Sequence, residues 1–137
     1  MLLVIDTNVL VSGLFWRGPP HALLGKARDG AVDLVLSAAL IEELLDVIAR
    51  PKFADILGRT SRTPERILDE LRVFIDVVAT SPLLKPICRD PDDDAVLACA
   101  LAARADLIVS GDDDLRALGL FENIPIVSAA EALVRLY

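Results

Sequence analysis

Leu2-Leu3-Val4-Ile5-Asp6 is the stretch that decides the architecture. Four apolar residues in a row, without polar alternation, read as a β-strand buried on both faces. Strands of that kind belong to parallel sheets covered by helices. An acid directly after such a strand stands at the sheet edge where ligands bind.

Working outward, the elements alternate. Pro19-Pro20 predicts a helix ending near Gly30, with Phe15 and Trp16 in the loop before it. Asp33-Leu34-Val35-Leu36 reads as a second strand. Ser37 then caps a helix whose Leu40, Ile41, Leu44, Leu45 and Ile48 form a buried stripe. A short element covers Lys52 to Leu57 and stops at Gly58. Thr63-Pro64 opens another helix, with Ile67, Leu68, Leu71, Phe74 and Ile75 on one side. Val77-Val78-Ala79 reads as a short third strand. The helix after Pro91 runs through Ala95 to Ala102, apolar on most sides. Leu107-Ile108-Val109 is a strand with a turn at Gly111, and Leu115 to Leu118 is a short helix. Ile124 to Val127 is a last strand, and Ser128-Ala129-Ala130-Glu131 is a capping box for a terminal helix. This alternation, with no hairpin turn signal, predicts a three-layer α/β/α fold on a central parallel sheet, one domain over residues 1–137.

Composition narrows the function. The 137 residues carry 14 Lys+Arg against 21 Asp+Glu, a net charge of −7, and the isoelectric point is about 4.6. A protein that holds nucleic acid by a broad basic surface is normally basic overall, so that class is excluded. With 54% apolar residues and a mean hydropathy of +0.52, disorder is excluded too. The start lacks the basic region of a secretion leader, and the longest apolar run, Ala95 to Ala103, is too short to span a bilayer. A cytoplasmic protein without membrane contact is expected. Cys88 and Cys99 match no zinc or redox spacing and read as reduced thiols. His21, beside Pro19-Pro20, reads as structural, which leaves imidazole catalysis without a candidate.

The excess acid is placed where chemistry happens. Asp6 and Asp112 each follow a strand, and Asp94 lies in the first turn of its helix. Asp92, Asp93 and Asp94 exceed what a helix dipole needs, since each acid contributes only about 0.3–1 kcal/mol there. Glu43 sits at the edge of the stripe beside Leu44, and Glu42 fits equally well on composition alone. Converging carboxylates repel and need protons or metal ions to neutralise them. Oxygen ligands select hard cations such as Mg²⁺ or Mn²⁺, and one or two such ions suffice for phosphodiester hydrolysis.

Four segments then carry a resemblance. They are Asp6-Thr7-Asn8-Val9-Leu10, Glu43-Leu44-Leu45-Asp46-Val47-Ile48, Asp94-Ala95-Val96-Leu97-Ala98-Cys99-Ala100 and Ser110-Gly111-Asp112-Asp113-Asp114-Leu115. In order and spacing the chain resembles PIN-domain ribonucleases, in particular the VapC-like toxins of prokaryotic toxin–antitoxin pairs. The resemblance implies catalytic and metal-binding carboxylates at Asp6, Glu43, Asp94 and Asp112, with Asp114 as an additional metal ligand. Asp94 is chosen from its run because Ala98 and Ala100 then fall where the family has small residues. Thr7, Asn8 and Ser110 match supporting polar positions. The resemblance also implies metal-dependent RNA cleavage with 5′-phosphate products, an antitoxin partner, and a homodimer or higher assembly.

On the substrate side, residues 50 to 66 hold Arg50, Lys52, Arg59, Arg62 and Arg66 against Asp55 and Glu65. That stretch and Arg116 or Arg89 are candidates for RNA phosphate contacts, and Phe15-Trp16 is a candidate base-stacking pair or subunit contact. Rival readings are weaker. A receiver-like phospho-aspartyl switch needs a lysine past a late strand, and Lys26, Lys52 and Lys85 are not placed there. A haloacid-dehalogenase-type phosphatase needs an aspartate where this chain has Asn8. A catalytically silent PIN-like binding module remains the alternative. Setting aside Asp6, Glu43, Asp90, Asp92, Asp93, Asp94, Asp112, Asp113 and Asp114 leaves 12 of the 21 acids against 14 bases. The acidity is concentrated in these motifs.

Overall fold

β1 (Leu2–Ile5) lies inside the sheet, between β2 (Asp33–Ser37) and β4 (Leu107–Val109), and is parallel to both. Its position explains its composition. Leu3 pairs with Leu34 on one side and Leu107 on the other, and both Leu3 and Val4 are fully buried. Each such side chain contributes ~1.5–3 kcal/mol of burial. The computed structural model describes residues 1–136, so Tyr137, the last residue of the expected domain, lies outside them.

β3 (Ile75–Val78) closes one edge of the sheet; β6 (Ile124–Val127) and β5 (Leu120–Phe121) close the other, giving the order β3-β2-β1-β4-β6-β5. The chain leaves β1 toward β2 and β3, then crosses back to lay β4 on the opposite flank of β1. The β1/β4 boundary is therefore the topological switch point, whose crevice lies beyond the strands' C-terminal ends. The helices are α1 (Thr7–Phe15), α2 (Pro19–Arg28), α3 (Ala38–Ile48), α4 (Ala54–Arg59), α5 (Pro64–Arg72), α6 (Pro91–Ala103), α7 (Asp113–Leu118) and α8 (Ala129–Arg135), with a 3₁₀ turn at Pro51–Phe53. They flank the sheet in the expected three layers. α6 packs across β1, β2, β3 and β4, and α2 packs on α8.

The expected caps form. Ser37, Thr63 and Ser128 accept the N–H groups of Leu40, Arg66 and Glu131. Three expectations need correction. Residues 7–15, read as loop, form α1. Asp6 caps it by accepting the Asn8 N–H, and Val9, Leu10, Val11 and Gly13 are all buried. Burial on several sides removes the amphipathic contrast that marks a surface helix. The third strand begins at Ile75, because pairing with Leu34 draws Ile75 into the sheet after α5 stops at Arg72. The sheet is not wholly parallel. β5 and β6 form an antiparallel hairpin through Glu122 and Asn123, both in the left-handed region (φ 50° and 67°). Glu-Asn is not among the turn pairs that announce a hairpin in sequence.

Candidate metal centre at the switch point

Asp6 directly follows β1 and continues its pairing with β4. Its backbone N–H donates to the Val109 carbonyl at 2.9 Å. Ser110 holds the matching place after β4, donating its N–H to Val127. The two side chains meet across the strands: the Ser110 hydroxyl donates to Asp6 Oδ2 at 2.7 Å. Ser110 Oγ also accepts the Asp112 N–H at 2.9 Å, so one fully buried hydroxyl sets both carboxylate-bearing segments. Asp112 caps α7 through Oδ1, which accepts the Leu115 N–H at 3.1 Å. Its other oxygen stays available.

α6 brings the third element. Carboxylate oxygens of Asp93, Asp112 and Asp114 lie within 4.8 Å of one another. Asp6 borders this cluster closely enough that its charge acts on Asp93 and it feels that of Asp112, and Glu43 in turn feels Asp6, Asp90 and Asp92. Burial raises Asp6, against the lowering effect of the Ser110 and Asn8 hydrogen bonds, and Asp112 and Asp90 raise it further. Burial pushes Glu43 up to about 7, although the Thr7 hydroxyl donates to it; Asp92, Asp6 and Asp90 add repulsion. Burial raises Asp93 to about 6, with Asp112 and Asp6 adding to it. Desolvation together with like charge is what converging buried carboxylates produce, and a bound cation neutralises it. An all-oxygen donor set of this kind fits a hard divalent cation.

Asp112 and Asp114 join the cluster, Asp6 borders it beside Asp112, Glu43 lies near Asp6, and Glu42 is exposed. Thr7 and Ser110 support Glu43 and Asp6, and Asn8 does so through its backbone. Asp94 does not join the cluster. Its carboxylate accepts the N–H groups of Ile87 (3.2 Å) and Cys88 (2.8 Å), and Asp93 points into the site instead. α6 is apolar on most sides, and only its packing marks Val96, Leu97 and Ala100 as the buried face, which continued back one turn lands on Asp93. Among the proposed RNA contacts, Arg50 pairs with Asp46, Arg62 with Glu70 and Arg116 with Glu131. Lys52 lies over the Phe53 ring, and Arg59 is exposed on α4. Arg89 pairs with Asp114 instead. Trp16 and Phe15 pack against Phe53, Trp16 remaining half exposed. His21 Nδ1 meets the Gly13 carbonyl at 3.0 Å, tying α2 to α1. Cys88 and Cys99 are free thiols.

The comparison that decides the family covers this same ground. A family model described as PIN domain matches residues 2–114, from β1 through Asp114. The chain belongs to the PIN domain family. PIN domains are generally nucleases that use divalent metals, consistent with the donors found here. Two solved structures share the PIN fold. VapBC2 from Rickettsia felis, bound to a DNA fragment from its promoter, is 14% identical, with TM-score 0.62 over 92% of this chain and 97% of that one. FitAcB from Neisseria gonorrhoeae is 19% identical, with TM-score 0.57 over 93% of this chain and 98% of that one. No curated protein sequence matches this PIN domain. None of its described helices is long and apolar enough to cross a membrane.

Proposed function

We propose that this PIN domain is a Mg²⁺- or Mn²⁺-dependent endoribonuclease, the toxin of a toxin–antitoxin pair acting in the cytoplasm. The observation that carries the reading is the three-carboxylate cluster of Asp93, Asp112 and Asp114 beside buried Asp6, at the switch point of a PIN fold. Asp93, Asp112 and Asp114 would hold the ion, with Asp6 and Glu43 completing its oxygen environment. When bound, one or two such ions supply an activated water and neutralise the leaving oxygen of a phosphodiester.

The chain's own residues do the rest. Ser110 fixes Asp6 and the Asp112 backbone together. The Thr7 hydroxyl orients Glu43. A groove of about 390 Å³ lined by Asn8, Ser12, Gly111, Asp112 and Asp113 runs beside the cluster and offers a path for the RNA strand. An antitoxin partner is supported by the likeness to the VapBC2 assembly. Self-association is supported by the exposed Leu84, Ile87, Leu101 and Leu120.

Incubation with structured and unstructured RNA tests the reading. Cleavage should need Mg²⁺ or Mn²⁺, stop with EDTA, leave 5′-phosphate ends and vanish in Asp6→Asn and Asp93→Asn. Mn²⁺ binding without any cleavage would favour the silent binding module. Cleavage that survives EDTA or both substitutions overturns the assignment.

A further inference from the structure

Arg89 reaches the acidic cluster from the segment just before α6. Its Nη2 donates to Asp114 Oδ1 at 2.7 Å, and its Nε donates to Oδ2 at 3.3 Å. The guanidinium thus takes both oxygens of a carboxylate that also belongs to the cluster with Asp93 and Asp112. An ion seated among those three residues and the Arg89 fork compete for the same atoms. The backbone around Arg89 is well anchored: Cys88 N–H is held by the Asp94 carboxylate, and Asp90 caps α6. The side chain is not, being 88% exposed. An anchored base with an open side chain allows the fork to swing without disturbing the fold. A guanidinium pairs with phosphate in the same two-pronged geometry as with carboxylate.

We propose that Arg89 is a built-in counter-cation of this site: it holds Asp114 while no divalent ion is present, and when an ion takes that carboxylate it turns to a backbone phosphate of the bound RNA as a positioning residue. The inference rests on the metal-dependent nuclease reading. Asp94 stays outside the cluster and anchors the segment from which Arg89 reaches.

Calorimetric titration with Mn²⁺ and anisotropy of a labelled short RNA of mixed sequence in Ca²⁺ test the two halves. The wild type, Arg89→Ala and Arg89→Lys are compared. Because an exposed ion pair is weak, Arg89→Ala should tighten Mn²⁺ by about two- to fivefold and weaken RNA binding by about the same factor. Arg89→Lys keeps the charge and loses the fork, so it should also tighten Mn²⁺. A simple field effect would leave it at the wild-type value, and that result overturns the proposal. So does unchanged or weaker Mn²⁺ binding in Arg89→Ala, or undiminished RNA binding. A wild type that binds no Mn²⁺ sinks the metal-site reading itself and this inference with it. Mn²⁺ binding equal in all three proteins sinks the inference alone.

Discussion

Asp93 and Asp94 are neighbours in the chain and roughly 100° apart around α6. That rotation gives them different work. Asp93 faces Asp112 and Asp114; Asp94 holds the N–H groups of Ile87 and Cys88. Asp93→Asn should lower Mn²⁺ affinity at least about tenfold with little loss of stability. Asp94→Asn should cost ~1–2 kcal/mol in a chemical melt and leave Mn²⁺ affinity near the wild type. The reverse pattern in titration and melt would return the ligand role to Asp94. Ser110 is the other decisive residue, with its hydroxyl on Asp6 and the Asp112 N–H on its oxygen. Ser110→Ala removes a hydrogen bond from buried Asp6 and one from the part-buried Asp112 N–H and should cost ~1–3 kcal/mol, with Mn²⁺ affinity falling about tenfold. Of the five acids, Asp6 and Asp112 were legible as strand-end carboxylates and Glu43, alongside Glu42, as a stripe-edge one, while Asp114 rested on the family resemblance. The fifth was obscured because three consecutive aspartates look alike until the buried face of the helix is known.

At the scale of elements, the junction of α1 and α2 turns on Gly13. A Cβ there would lie 2.8 Å from both Leu24 Cδ1 and the Pro20 carbonyl oxygen. In an open helix, replacing glycine by alanine stabilises by about 0.5–1 kcal/mol. Here the contact reverses the sign, and Gly13→Ala should cost ~1–3 kcal/mol by urea unfolding. A stabilised variant would show that α2 can retreat from α1. Helices announced by a cap and an amphipathic stripe, such as α3 and α5, were legible because both signals are local. α1 was not. Val9-Leu10-Val11 carries β-branched residues and no polar face, and it is helical because Asp6 caps it while its neighbours bury it. The β5–β6 hairpin was hidden for a related reason: Glu122 and Asn123 take left-handed conformations that few residue pairs signal.

For the whole molecule, the site costs stability when it holds no cation. Asp6, Glu43 and Asp93 all bind protons more tightly folded than unfolded. Between the ordinary carboxylate range and about pH 7, the native state therefore carries more protons, and stability falls as pH rises. Asp114, lowered by Arg89, acts in the opposite direction, but below that window. The metal-free protein should melt about 5 °C lower at about pH 8 than at about pH 5. Millimolar Mn²⁺ should remove most of that loss, because the ion binds the deprotonated native site. A melting temperature that rises with pH in the absence of metal would contradict the buried, mutually repelling carboxylates. The buried strand, the caps, the alternation of layers and the acids at strand ends can all be read from residues close together in the chain. Packing settles the rest: 7–15 is helical, Asp93 and not Asp94 faces the cluster, Ser110 reaches Asp6 across 104 positions and Arg89 reaches Asp114 across 25. Those outcomes depend on which elements lie side by side, and burial by distant neighbours outweighs the weak local preferences of the residues concerned.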